Sequence, residues 1–195
     1  AHLGAIAARF HGDPSASLQV IGVTGTSGKT STVQLLAQAL TQLGKCTATI
    51  GTLGAGLHGA LHAGERTTPD VIRVHGLMAE FRNAGVTHGA MEVSSHALHQ
   101  GRVNGTAFDI AVFTNLTQDH LDYHRTFDAY EAAKAKLFAW RGLRAAVVNR
   151  DDAAGRRLLE KLAGRVRTIA YGMGDAPSAG ADRELVATDV RATAA

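Results

Sequence analysis

Val20-Ile21-Gly22-Val23-Thr24-Gly25-Thr26-Ser27-Gly28-Lys29-Thr30-Ser31 sets a glycine-rich turn between an apolar, strand-like run and a helix-like one. A phosphate-binding loop needs that junction. Gly25 and Gly28 let the backbone turn its N–H groups inward, the following helix offers its positive end, and Lys29 adds a mobile cation. Thr30 brings a hydroxyl suited to magnesium. The widespread pattern G-x-x-x-x-G-K-[ST] wants glycine where Val23 stands, so the match is to a shorter variant. A turn that merely caps a helix is the plain alternative, but capping gives no reason for lysine here. The loop therefore predicts ATP as a ligand.

Working outward, apolar runs alternate with segments of helical period. Strands are expected at Leu18–Thr24, Cys46–Ile50, Thr87–Val93, Phe108–Phe113, Ala145–Val148 and Val166–Tyr171. Helices are expected at Lys29–Leu43, from Thr68-Pro69-Asp70 to Asn83, at Phe127–Trp140 and at Asp151–Ala163. Thr68 supplies an N-cap for the second of these, followed by proline and an early acid. Strands alternating with helices imply a doubly wound, mostly parallel α/β sheet whose ligands sit at the carboxyl ends of the strands. Residues 1–17 read as a linker or helix preceding one domain, 18–195. The Gly- and Ala-rich tail after Gly172 predicts no terminal element, so the domain is expected to be incomplete at its C-terminal end.

With 195 residues, 45% of them hydrophobic, the chain can bury a core of ordinary size. A net charge of +3 without a basic block argues against nucleic acid as a partner. The single cysteine, Cys46, excludes an internal disulfide and fits a reducing compartment. No apolar run approaches a membrane span and Ala1-His2-Leu3-Gly4 lacks a basic start, so no membrane partner and a cytoplasmic location are expected.

Three further places carry chemistry. Glu92 closes the run Gly89-Ala90-Met91-Glu92-Val93, which delivers an acid to the same sheet edge as the loop. Magnesium binding is one reading, a strand-end acid in water the other. Thr114-Asn115-Leu116-Thr117-Gln118-Asp119-His120-Leu121-Asp122-Tyr123-His124 packs two acids and two histidines behind another strand, with His120 the most prominent. Lys134 falls in the stripe formed by Phe127, Tyr130, Leu137 and Phe138, whereas Lys136 points elsewhere. Buried there, Lys134 would have a lowered pKa and could capture carbon dioxide as a carbamate; periodicity alone favours a lysine that snorkels to water from the stripe's edge.

These segments, with Thr67-Thr68-Pro69-Asp70, Met91-Glu92-Val93-Ser94-Ser95-His96, Gln100-Gly101-Arg102-Val103 and Tyr130-Glu131-Ala132-Ala133-Lys134, together resemble the Mur ligase family. The Gly-Lys-Thr loop and the Asp-His pair are general to that superfamily, folylpolyglutamate synthetases included. Met-Glu-Val-Ser-Ser-His and Asp-His-Leu-Asp-Tyr-His point to the branch that adds the third amino acid of the peptidoglycan stem peptide.

The resemblance implies that Gly25, Thr26, Ser27, Gly28, Lys29, Thr30 and Ser31 bind ATP phosphates. It implies that Thr30 holds one Mg2+, and that Glu92, His120 and carbamylated Lys134 (N6-carboxylysine) surround a second. Catalytic weight then rests on Lys29, His120 and Lys134. Thr67, Thr68, Ser94, Gln100 and Arg102 match positions that hold a UDP-muramoyl-dipeptide, which the enzyme joins through an acyl phosphate to a free amino acid, diaminopimelate or lysine. Ser27 and Arg66 stand where many relatives have asparagine. The resemblance spans Ile6 to Tyr171 and matches a central domain only. Family members carry uridine-binding and amino-acid-binding domains besides, so a monomeric piece, inactive by itself, is expected. A folylpolyglutamate synthetase-like ligase and a non-catalytic nucleotide-binding fragment are the rival readings.

Overall fold

The computed structural model describes residues 2–119, 121–173 and 179–188. Among them, nine strands form a single sheet. Its centre is β1 (Gln19–Thr24), flanked by β5 (His88–Glu92) and β6 (Ile110–Phe113), both parallel to it. Beyond β5 lies β2 (Thr47–Gly51), and beyond β6 lie β7 (Ala145–Asn149) and β8 (Arg167–Met173), again parallel. The expected parallel α/β architecture is what the chain adopts. Every neighbouring parallel pair needs a crossover, so all these strands present their carboxyl ends on one edge.

β1 is buried on both faces, which explains its unbroken apolar run. Ile21 and Val23 face a small core with Val33, Ala90 and Val112, covered by α2 (Lys29–Gln42). Val20 faces the larger core, shared by Val74, Leu77 and Phe81 of α3 (Val71–Asn83) and Leu158 and Leu159 of α7 (Ala153–Leu162). Gly22 sits between them because a Cβ there would stand 2.9 Å from the Phe108 ring. Ahead of the sheet, α1 (His2–Phe10) lies close to the 101–105 turn: a Cβ at Gly4 would collide with the backbone of Asn104. Arg82 of α3 donates to the carbonyls of His11 and Gly12 at 3.0 and 3.1 Å.

Four local features differ from expectation. Thr68 does not cap α3; Asp70 does, accepting from the amides of Ile72 and Arg73 at 3.0 Å each, which leaves Thr68 free for another task. The helix begun at Phe127 stops sooner: α6 (Phe127–Ala135) tightens into a 3-10 turn over Lys136–Ala139. Trp140 leaves it extended, donating its indole N–H to the Thr106 carbonyl at 2.7 Å, with its ring edge-on to Phe108. The tail is not featureless, since β9 (Arg183–Ala187) adds in parallel to β8. At the other edge, β3 (Gly54–Leu57) and β4 (Ala60–His62) fold back antiparallel on β2.

Among the described residues no helix is long and apolar enough to cross a membrane.

Candidate active site

The turn Gly25-Thr26-Ser27-Gly28 leaves β1 and enters α2, and its shape is imposed from behind. Gly25 and Gly28 have φ of 149° and 80°, backbone open to glycine, and a Cβ at Gly25 would run into the Thr114 hydroxyl. The segment after β6 braces the turn. Asn115 accepts the amides of Thr26 and Ser27 (2.9 and 3.0 Å) and returns its side-chain N–H to the Ser27 carbonyl (3.1 Å). Thr114 donates to that same carbonyl at 2.7 Å, and the Thr26 hydroxyl accepts the Thr117 amide at 3.0 Å. With Thr26 and Ser27 committed to Asn115, the amides that open α2, at residues 28–31, are the ones placed to meet an anion; no side chain caps that helix.

Lys29 curls back over the turn, donating to the carbonyls of Gly25 and Thr26 at 2.9 Å each. Burial lowers its pKa, opposed by the charges of Glu92 and Asp119. Lys134 arrives from α6 and donates to the same Gly25 oxygen at 2.7 Å, with its amine 4.4 Å from the centre of the Tyr130 ring. Only 2% exposed, it does not snorkel; the helix stripe turns it into the core because Tyr130, Ala133 and Leu137 around it are buried too. Burial first, then the Lys29 charge, push its pKa down to about 7, against a smaller opposing pull from Asp119. Lys136 is exposed, as expected.

Across the turn, the Glu92 carboxylate is buried at 1% exposure. It is no acid in water. It accepts from the Thr30 hydroxyl (3.0 Å), the Thr52 amide (2.7 Å) and the Thr52 hydroxyl (3.2 Å). A Cβ at Gly51 would collide with it, so glycine there makes its room. A hydroxyl and a carboxylate 3.0 Å apart are hard oxygen donors of the kind Mg2+ takes, so this pair fits that ion. His120 lies outside the described residues, and among those described no cluster of three or more His, Cys, Asp or Glu side chains is placed to hold a metal.

A third group surrounds the start of α4 (Ser95–Gln100). The Thr68 hydroxyl, released from capping, donates to the Glu92 carbonyl at 2.8 Å and accepts the Ser94 amide at 3.2 Å. Ser94 caps α4 through the Ala97 amide. Arg102 donates from Nη1 to the Thr68 carbonyl (3.0 Å) and from Nε to Gln100 (2.8 Å). Partial burial, and then Arg66 nearby, lower its pKa. Thr67 stands apart, its hydroxyl 3.1 Å from that of Thr52. The structure thus gathers Lys29, Thr30, Glu92 and Lys134 about one turn and links Thr68, Ser94, Gln100 and Arg102 beside it. Thr52 was not foreseen; a threonine directly after a buried strand carries no signal until the sheet sets it beside Glu92.

A parallel α/β sheet whose central strand ends in a glycine turn with lysine and threonine opening the next helix defines a phosphate-loop domain. This chain belongs to the Mur ligase family: residues 23–193 match the Mur ligase middle domain. It is 64% identical over 162 residues to the UDP-N-acetylmuramoyl-L-alanyl-D-glutamate--2,6-diaminopimelate ligase of Xanthomonas campestris pv. campestris (strain 8004), covering 83% of this chain and 33% of that protein. A solved structure of a ligase of the same name superposes with a TM-score of 0.73 at 37% identity, covering 79% of this chain and 32% of that one. A Mycobacterium tuberculosis folylpolyglutamate synthase, complexed with ADP and AMPPCP, shares the fold at 18% identity (TM-score 0.68, 86% of this chain and 46% of that one). The chain spans about a third of the length of the curated relatives it matches.

Proposed function

We propose that the gene product carrying these residues is an ATP-dependent ligase that joins diaminopimelate, or lysine, to UDP-N-acetylmuramoyl-L-alanyl-D-glutamate. The observation that carries this reading is the seating of Thr30 and Glu92 on one side of a phosphate loop, with the Thr68–Arg102 group adjoining, in a chain 64% identical to a ligase of that name. It would act as a cytoplasmic monomer in peptidoglycan synthesis.

In this reading the amides at residues 28–31 and the positive end of α2 receive the ATP phosphates, and Lys29 exchanges its two carbonyl partners for phosphate oxygens. Thr30 and Glu92 would hold Mg2+, with His120 and Lys134 completing a second position beside Glu92. Bound Mg2+ neutralises charge on the transferring phosphoryl group. Lys134 contributes as a carbamate: its neutral amine adds to the carbon of carbon dioxide, an N–H proton leaves to solvent, and a cation becomes an anionic oxygen donor. Thr68, Ser94, Gln100 and Arg102 orient the muramoyl peptide so that its terminal carboxylate oxygen bonds to the γ-phosphorus as the bond to ADP breaks. The amine of the incoming amino acid then adds to the acyl phosphate carbon, phosphate leaves, and the amine gives up a proton.

The test is amide formation by the purified gene product, supplied with ATP, Mg2+, the muramoyl dipeptide and either amino acid. ADP release coupled to a tripeptide product is expected. No product with either amino acid, or glutamylation of a folate in its place, would overturn the proposal.

A further inference from the structure

The second half of the Asp119–His124 segment has no role in the reading above, yet it is tied to the substrate-side group. α5 (Leu121–His124) is clamped to α4 at two points. At the start of α4, buried His124 places Nε2 3.0 Å from the Ser95 hydroxyl. At its end, the Tyr123 hydroxyl accepts the side-chain N–H of Gln100 at 3.0 Å and lies 2.9 Å from Nδ1 of His99. The ring is itself held: it packs on His96 with centroids 4.1 Å apart, and meets His99 and His124 edge-on at 5.4 and 4.8 Å.

Gln100 is exposed, so its amide would rotate freely unless both ends were engaged. They are. Its nitrogen goes to Tyr123 and its oxygen accepts Nε of Arg102 at 2.8 Å, while Nη1 of Arg102 reaches the Thr68 carbonyl at 3.0 Å. A flipped amide would set its N–H against a guanidinium N–H, which cannot accept.

We propose that Tyr123 is a positioning residue for the muramoyl-peptide substrate: its hydroxyl fixes the amide of Gln100, and through it aims the guanidinium of Arg102. The inference rests on the ligase reading given above, in which Gln100 and Arg102 face that substrate. It assigns Tyr123 no contact with ATP.

Tyr123→Phe keeps the ring on its three histidines and removes only the hydroxyl. In the full gene product, KM for the muramoyl dipeptide should rise about three- to tenfold, the worth of one hydrogen bond. KM for ATP and kcat should stay near their starting values. In a Gln100→Ala background the same change should add nothing, because the group it acts through is gone. An unchanged KM for the dipeptide, an equal rise in KM for ATP, or additive effects in the double variant would each overturn the proposal. Wild-type protein without turnover would instead overturn the ligase reading, and the inference with it.

Discussion

The amines of Lys29 and Lys134 donate to one acceptor, the carbonyl oxygen of Gly25, at 2.9 and 2.7 Å. Burial lowers the pKa of both amines, and the Lys29 charge then lowers that of Lys134 further, while Glu92 and Asp119 oppose the shift at Lys29. The arrangement therefore favours a neutral amine on the more buried partner, Lys134, while Lys29, half-way to solvent, stays available for an anion.

Lys29→Ala and Thr30→Ala are each expected to lower turnover of the full gene product by roughly a hundred- to a thousandfold, the scale of losing one preorganised electrostatic contact. Lys136→Ala, at an exposed position in the 3-10 turn that follows α6, should be nearly silent. Steady-state kinetics of the three variants checks this; near-normal activity in Lys29→Ala would remove the phosphate-loop reading.

Lys134→Ala should also lower turnover by roughly a hundredfold or more. If the lysine works as a carbamate, acetate at high concentration should restore part of the rate by returning anionic oxygens, and wild-type protein equilibrated with 13C-labelled bicarbonate should show a labelled carbamate carbon by NMR that the variant lacks. A lysine that only packs would give neither result.

Arg102→Ala should raise KM for the muramoyl dipeptide and leave that for ATP alone. Arg102→Lys should not rescue it, because the two donors that reach Gln100 and Thr68 belong to one rigid fork that an ammonium cannot reproduce. A change confined to KM for ATP would place Arg102 on the nucleotide instead.

Gly25→Ala should destabilise the fold by about 1–3 kcal/mol, since alanine is strained at this φ and its methyl group has no space beside Thr114. Urea denaturation of wild type and variant measures the difference; equal midpoints would mean that the turn adapts at little cost.

The parallel sheet was legible because β1 and β6 are buried on both faces and so carry apolar runs, and β5 carries the short Gly89-Ala90-Met91 run between His88 and Glu92. β9 was not, because all five of its residues are exposed and no alternation marks them; only pairing with β8 defines it. The β3–β4 hairpin was silent for a related reason. It is built on Gly54 and Gly56, where the close approach of His62 and Ala60 leaves no room for side chains that could form a pattern. In the site, the loop lysine and Glu92 announced themselves by position at strand ends. The burial of Lys134 did not, because periodicity places a residue on a stripe but says nothing of what covers it. Thr68 does not act as the cap because the helix starts two residues later than the Thr68-Pro69 pair suggests, with Asp70 accepting the amides of Ile72 and Arg73.

The position of β1 at the middle of the sheet also orders events in time. Once β1 and its turn are made, neither neighbouring strand exists until residues 92 and 113 have followed, and the turn waits longer still for Asn115, Thr117 and the amine of Lys134, 109 positions beyond Gly25. Contacts of such separation form slowly and late. The glycine turn is thus made well before the residues that brace it, and the set of braces is complete only when α6 docks.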